Sequence, residues 1–183
     1  MSKVMTFSRV FPSYHPTAGE PTYFVEKILK GLPHTEMYEP EGLEIDLGMM
    51  AEAEPKHHTI RAGHRWKVGD KFSPRVWSGK PYQSKQIIIA PDIEVKKVWD
   101  FEITTAYNSE MRGDISNFIY INRKLVLLNE YEKLAKNDGL TVGDMCEWFK
   151  IAFEEDYRKV WDFEITEAYF KGQIICWNPQ IEY

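Results

Sequence analysis

Turn-forming residues recur at short intervals between residues 57 and 92, and they limit the possible folds of this chain more than any other feature. The pairs or runs GD, SGKP and PD, at residues 69–70, 78–81 and 91–92, interrupt segments rich in β-branched and aromatic residues. Glycine, proline, aspartate and serine favour tight turns, so each interruption predicts the end of a strand. Strands about ten residues apart are typical of a small antiparallel sheet or barrel. We therefore expect the centre of the chain to be mainly antiparallel β-structure.

Other parts of the sequence predict helices that flank this sheet. Between residues 22 and 32 the apolar residues recur at helical spacing, and the preceding proline suits a first helical turn. Residues 125–135 show the same spacing, and Gly139 is suited to cap the end of that helix. Thr141 and Asp144 form the pattern of a capping box, which predicts the start of one more helix.

The remaining segments predict two further strands and an insertion. Residues 4–11 alternate partly and predict a first strand, and residues 172–177 predict a closing strand. Residues 33–55 are rich in Glu, Pro and Met without clear periodicity, which predicts a long surface loop or inserted lobe. No linker-type composition divides the chain, so we expect a single domain over residues 1–183 with this insertion.

The eight-residue sequence KVWDFEIT occurs twice, at residues 97–104 and 159–166. The copies are too few and too far apart for a solenoid. In each copy Trp, Phe and Ile alternate with polar residues, which is the pattern of a half-buried strand. We expect two strands with the same packing role; a duplicated binding surface is the alternative.

Composition narrows the classes of function. The chain has 183 residues and a net charge of −5, whereas a protein that neutralises many phosphates usually has a basic surface. Cys146 and Cys176 have no metal-type spacing, which favours a reducing cytoplasm over a disulfide framework or a zinc site. The N-terminal residues contain no apolar run long enough for a signal peptide, so we do not expect export, and the apolar runs elsewhere are far shorter than the roughly 20 residues of a membrane span. We expect a cytoplasmic protein without a cofactor or a membrane partner.

Residues 56–85 are locally basic in this acidic chain and contain interleaved aromatic residues. Such a mixture can stack a base and hold a phosphate. Alternatively, the aromatic residues belong to the core and the cations extend from its edge to solvent. His57, His58 and His64 lie in or near this stretch, but no carboxylate or cysteine follows at a recognised ligand spacing, so we predict no metal site and a packing or hydrogen-bonding role for His58. The basic and aromatic residues are Arg61, Arg65, Lys67, Arg75, Lys80, Lys85, Trp66, Trp77 and Tyr82.

Two short motifs in this stretch resemble a known family. Lys56-x-x-Thr59-Ile60-Arg61, followed by WKVGD at residues 66–70, resembles the ASCH family of the PUA-like superfamily, in particular the small bacterial N(4)-acetylcytidine amidohydrolases. The resemblance implies an α+β fold, a small and mainly antiparallel PUA-like β-barrel flanked by about three helices. It continues at residues 7–11, 132–135 and 138–141 and leaves residues 33–55 and 105–120 as additions.

The resemblance also implies catalytic roles for Lys56, Thr59 and Asp138. Thr59 would attack the acyl carbonyl, and Lys56 would be the base that takes its proton. The lysine pKa of about 10.4 would have to fall by roughly 2 to 3 pH units, through burial or a cationic neighbour such as Arg61. Asp138 would hold the lysine or protonate the leaving nitrogen. The family has a glutamate here, so the carboxylate of this chain is one methylene shorter.

Strand geometry places a condition on this site. In a regular strand His57, Thr59 and Arg61 would share one face, and Lys56 would point to the other. Pro55 restricts the backbone before Lys56, so we expect Lys56 to lie in a loop that enters the strand.

Two functions of different class follow. The first is hydrolysis of the acyl amide of a modified cytosine nucleoside. The second is a non-catalytic ASCH or PUA-like module that binds RNA or a nucleotide. The candidate substrate-binding residues are Arg61, Trp66, Lys67 and Tyr82. The acidic net charge favours the hydrolase, because a nucleoside has no phosphate backbone to neutralise.

Overall fold

A computed structural model describes residues 2–32, 38–107, 115–151 and 164–183 of the chain. These residues form strands and helices in a mixed α+β arrangement, which confirms the predicted class. The strands are β1 (Lys3–Thr6), β2 (His58–Ala62), β3 (Lys71–Trp77), β4 (Gln86–Ile88), β5 (Ile93–Glu94), β6 (Lys97–Tyr107), β7 (Ile115–Ile121), β8 (Lys124–Leu125) and β9 (Glu164–Cys176). The helices are α1 (Phe24–Gly31), α2 (Leu47–Glu52), α3 (Leu128–Asn137) and α4 (Val142–Phe149).

The strands pair into two sheets. In the smaller sheet β3 lies between β1 and β4 and also pairs with β5; its pairing with β1 is parallel and its other pairings are antiparallel. The larger sheet has the order β2-β9-β6-β7-β8 and is antiparallel throughout. The mainly antiparallel character is as predicted. These pairings do not close into a ring, so they do not confirm a barrel.

The first copy of the repeated octapeptide and the last three residues of the second copy lie in two adjacent strands of the larger sheet. The first copy starts β6, where Trp99, Phe101 and Ile103 are buried and the intervening acidic residues are more exposed, as the alternation predicts. In the second copy residues 159–163 lie outside the described residues, and residues 164–166 start β9. The β6 and β9 strands are antiparallel neighbours, and the described end of the second copy pairs with residues 106–107, which follow the first copy.

The helices confirm the capping arguments at Gly139 and Thr141, whereas Pro21 lies three residues before the first residue of α1 and so is not in its first turn. The α1 helix falls within the predicted residues 22–32, and α3 ends just before Gly139, whose φ of 74° is in the left-handed region that glycine tolerates. At the start of α4 the Asp144 amide donates to the Thr141 hydroxyl at 3.1 Å, and the Thr141 amide donates back to the Asp144 carboxylate at 3.4 Å. This is the reciprocal capping box that the sequence predicts.

The inserted segment, residues 33–55, differs from its prediction as a loop because it contains α2. The Asp46 carboxylate accepts a hydrogen bond from the Met49 amide at 2.9 Å and so caps this helix. A helix of six residues is too short to show helical periodicity in sequence, which is why the prediction missed it.

The two ends of the inserted segment meet. The Lys56 amide donates to the Lys27 carbonyl of α1 at 2.9 Å. A Cβ atom on Gly31 would lie 2.4 Å from the Lys56 carbonyl oxygen, so glycine is required for this close approach. The chain therefore leaves α1 and returns to the same place, which sets Lys56 directly against that helix.

The core lies between the sheets and the helices. Its fully buried side chains come from both sheets and from α1, α3 and α4, and they include Phe72, Phe101, Ile103, Ile174, Ile28, Leu134 and Met145. Within the described residues, none of the helices has the length and apolar character needed to cross a membrane.

Candidate functional site

Lys56 and Asp138 form a buried ion pair beside α1 and the end of α3. Lys56 lies just before β2, and Asp138 is the residue that ends α3. The His57 amide donates to the Asn137 carbonyl at 2.8 Å, so the backbone itself joins the two segments. The Lys56 ammonium lies 2.5 Å from the Asp138 carboxylate and also donates to the Asp138 main-chain carbonyl. The two residues are only 1% and 5% exposed.

Burial decides the electrostatics of this pair. Loss of water lowers the Lys56 pKa to about 8, and Arg61 and Lys27 act in the same direction, while Asp138 opposes the change. Burial also raises the Asp138 pKa, against the opposing effects of Lys56 and Arg61. The Phe24 ring lies 4.3 Å from the Lys56 ammonium and keeps water from it. An amine with a pKa of about 8 can exchange a proton near neutral pH.

Thr59 lies in β2, opposite Ile175 of β9. Its side chain is 5% exposed, and no hydrogen bond to its hydroxyl occurs among the described residues. Lys56 precedes the first residue of β2, so the alternation of that strand does not apply to it. A joint role of Lys56 and Thr59 requires this freedom of Lys56 from the strand alternation, but among the described residues no hydrogen bond joins the two side chains.

Arg61 extends from β2 towards the N-terminal strand. Its guanidinium donates to the Thr6 carbonyl at 2.7 Å and lies 5.1 Å from the Phe7 ring. The guanidinium also acts electrostatically on Lys56 and Asp138. The geometry therefore places Arg61 as a fixed positive charge beside the pair.

A second set of buried polar groups surrounds Asp138. The His58 Nδ1 atom lies 3.7 Å from the Asp138 carboxylate, and its Nε2 atom lies 2.7 Å from the Tyr183 hydroxyl. The Asn137 amide donates to that hydroxyl at 2.9 Å. The hydroxyl can then donate to His58 Nε2, which leaves the histidine proton on Nδ1, facing Asp138. Burial and the Lys56 charge lower the His58 pKa well below its usual value, so the ring is neutral.

Sequence reasoning gave His58 a hydrogen-bonding role but missed Asn137 and Tyr183. Asn137 adjoins the motif residue Asp138, which is a weak signal for a role at the site. Tyr183 is 125 residues from His58, and no local pattern marks it.

The other predicted substrate-binding residues lie apart from the pair. Trp66 is 3% exposed and packs edge-on against Phe72, so it belongs to the core. Lys67 is exposed on the turn before β3, and Tyr82 is 89% exposed on the turn between β3 and β4. Among the described residues, no hydrogen bond, ion pair or ring contact joins Trp66, Lys67 or Tyr82 to Lys56, Thr59 or Asp138.

The histidines of this stretch lie in different surroundings. His57 contacts the Asn178 amide at 3.2 Å, and His64 lies 3.5 Å from Asp100 on the surface. In the part of the chain that the structure describes, no three His, Cys, Asp or Glu side chains are grouped in a way that could hold a metal ion.

Comparison with known proteins found no family model, no curated protein and no solved structure that matches this chain. The resemblance to the ASCH family therefore rests on the sequence motifs alone and stays a prediction.

Proposed function

We propose that the chain is an ASCH-type amidohydrolase with a PUA-like fold that cleaves the acyl amide of an N(4)-acylated cytosine nucleoside. The observation that carries the proposal is the buried Lys56–Asp138 ion pair. Its lysine lies three residues before Thr59, whose hydroxyl has no hydrogen-bond partner among the described residues. Both cysteines, Cys146 and Cys176, are unpaired and buried, which is consistent with action in a reducing cytoplasm.

The reaction proceeds in two steps. The neutral Lys56 amine takes the proton of the Thr59 hydroxyl, and the oxygen attacks the acyl carbonyl. The carbon–nitrogen bond breaks, the Lys56 ammonium returns its proton to the departing exocyclic nitrogen, and an acyl ester remains on Thr59. Water then attacks the ester with Lys56 again as base, the bond between the acyl carbon and the Thr59 oxygen breaks, and the Lys56 ammonium returns its proton to that oxygen as the carboxylic acid leaves. The sum is acylcytidine plus water to cytidine plus acid.

Asp138 holds Lys56 in position and stabilises its ammonium form between the two proton transfers. The shorter side chain does not prevent this role, because its carboxylate already lies 2.5 Å from the ammonium. The main-chain carbonyl of the same residue accepts a second hydrogen bond from the lysine. The neutral His58 ring lies beside this carboxylate, with its Nδ1 atom 3.7 Å away. Asn137 and Tyr183 fix the orientation of that ring.

The test is to incubate the purified protein with N(4)-acetylcytidine and to follow cytidine by chromatography. We expect release that Lys56→Ala and Thr59→Val each reduce by at least about a hundredfold. Thr104→Val is the matched control, because Thr104 is also a buried strand threonine whose hydroxyl has no partner among the described residues. No release above the Lys56→Ala background, or an equal loss in both valine variants, would refute the proposal.

The pH dependence gives a second measurement. Because the neutral amine is the base, kcat/KM should rise with pH and reach half its plateau near the Lys56 pKa of about 8. Both pH 6 and pH 9 lie within about two pH units of this pKa, so kcat/KM should change over this range. A flat profile between them would assign the base to another group.

One observation favours a second function, RNA binding. Tyr82 is 89% exposed, adopts a φ of 63° and lies 5.3 Å from the Trp77 ring, with Lys80 and Lys85 exposed on the same turn. An exposed tyrosine ring beside a half-buried tryptophan and cations can stack a base and attract a phosphate. The test is binding of single-stranded RNA at increasing salt. Binding by this surface should weaken steeply with salt and in Tyr82→Ala, without a change in hydrolysis.

A further inference from the structure

A cleft of about 580 Å³ lies between the start of α1 and the inserted segment. One wall consists of Arg9 and residues 21 and 23–26, and the other consists of residues 43–47. This volume is within the range of about 300–1,000 Å³ that is usual for small-molecule sites. Its walls combine aromatic and aliphatic side chains with a few charged groups, as such sites commonly do.

The inserted segment creates this cleft. The chain on either side of the insertion meets at Gly31 and Lys56, so the segment is not needed to connect α1 with β2. Two hydrogen bonds hold it against α1. The Asp46 amide donates to the buried Glu26 carboxylate at 3.3 Å, and the Lys30 ammonium donates to the Ala51 carbonyl at 2.6 Å. These hydrogen bonds hold the inserted segment, which forms the second wall of the cleft, against α1.

The cleft adjoins the catalytic pair. Phe24 lines it, and the ring of the same residue lies 4.3 Å from the Lys56 ammonium. Phe24 is therefore a residue shared by the cleft and the surroundings of the Lys56 ammonium. The inference below rests on the proposed function, because it assigns a part of the same substrate to this cleft.

The charges of the cleft indicate what kind of nucleoside fits. Glu26, Glu44 and Asp46 give three carboxylates against the single guanidinium of Arg9, a formal balance of −2. Carboxylates accept hydrogen bonds from the hydroxyls of a ribose, and Tyr23 offers an aromatic surface. A phosphate would meet a net repulsion, since like charges within a few ångströms disfavour binding. We propose that the cleft built by the inserted segment holds the ribose of an unphosphorylated nucleoside and excludes nucleotides.

The experiment measures the binding of cytidine and of cytidine 5′-monophosphate to the intact chain by calorimetry, with ligand-observed NMR for weak binding. We expect cytidine to bind about tenfold more tightly than the monophosphate. Glu44→Lys should remove most of this preference. Glu44 is exposed and caps no helix, so its replacement leaves the fold unchanged. Glu39→Lys is the matched control, an exposed glutamate of the same segment outside the cleft, and it should retain the preference.

Equal binding of the two ligands by the wild type, no binding of cytidine, or the same response in both lysine variants would overturn this inference. The test also separates the two proposals. In one outcome the protein hydrolyses N(4)-acetylcytidine, and neither Glu44→Lys nor Glu39→Lys changes its KM. This result would support the amidohydrolase proposal and refute the role of the cleft. Selective cytidine binding without hydrolysis would keep the cleft and reject the amidohydrolase.

Discussion

Replacing Lys56 with methionine would leave the Asp138 carboxylate buried without its cation. Asp138 is 5% exposed, its ion-pair partner at 2.5 Å is Lys56, and the neutral His58 ring lies 3.7 Å away. Removing one partner of a buried ion pair typically costs about 3–5 kcal/mol. Methionine fills a volume similar to that of lysine, so little of the effect should come from a cavity.

The carboxyl group can limit this cost by taking up a proton, and that gives an independent estimate. The ordinary pKa of the carboxyl group is 3.8. Keeping it protonated at pH 7 costs a free energy of about 4 kcal/mol, at about 1.4 kcal/mol for each pH unit. The two figures agree. We therefore expect Lys56→Met to lower the free energy of unfolding by about 4 kcal/mol at pH 7.

The sign of the pH dependence follows from the same reasoning. Burial raises the Asp138 pKa, and the loss of Lys56 removes the main effect that opposes this rise. The folded variant then binds more protons than the unfolded chain, so its stability falls as pH rises above 3.8, up to the folded pKa. Its deficit relative to the wild type should be smaller at pH 5 than at pH 7, by up to about 3 kcal/mol.

Urea denaturation, monitored by tryptophan fluorescence, measures the free energy of unfolding of the wild type and the variant at pH 5, 6 and 7. Lys71→Met is the control, because Lys71 is exposed and should change stability by less than about 0.5 kcal/mol. Adding Asp138→Asn to Lys56→Met should recover part of the loss, since the carboxylate is then gone. A loss below about 1 kcal/mol at pH 7 with no pH dependence would show that the pair is not desolvated, and the reasoning for a lowered Lys56 pKa would fail with it.

The remaining predictions concern local geometry and are tested by the same denaturation measurement. Gly31→Ala should cost about 2–3 kcal/mol, because its Cβ would lie 2.4 Å from the Lys56 carbonyl oxygen. Gly79→Ala, whose Cβ would meet its nearest neighbour at an ordinary 3.6 Å, should change stability by less than about 0.5 kcal/mol; similar values for the two alanine variants would contradict the close approach. Thr141→Ala should cost about 1 kcal/mol, because it removes the acceptor for the Asp144 amide at the start of α4; no loss would mean that this capping box does not stabilise the helix.

The elements that sequence predicted correctly are those whose cause is local. The capping box at Thr141, the helix end before Gly139 and the alternation in β6 each depend on residues a few positions apart. The missed α2 helix also depends on local residues, but it has too few of them to show a period. Closure of the strands into a barrel depends on distant pairings, and it stays a prediction.

The candidate site also combines features that local sequence predicts with features that depend on distant contacts. The motif residues Lys56, Thr59 and Asp138 could be named from the sequence through a resemblance, and the loop position of Lys56 could be inferred from Pro55. The resemblance also implied, as one of two roles, that Asp138 would hold the lysine, but no local pattern in the sequence predicts a contact across 82 residues. The burial of Trp66 was open as well, because the sequence allowed both a core and a binding role for it.

By itself, the sequence determined the mainly antiparallel character of the strands, the end of α3, the start of α4 and the types of side chain available for chemistry. Only the tertiary structure decided which charged groups lose water, and therefore that Lys56 has a pKa of about 8 while the exposed Lys67 and Lys71 lie in solvent. It also decided that the inserted segment returns to its starting point and forms a second wall beside α1. Burial and closure are set by contacts between residues far apart in the chain, whereas turns and caps are set by neighbours.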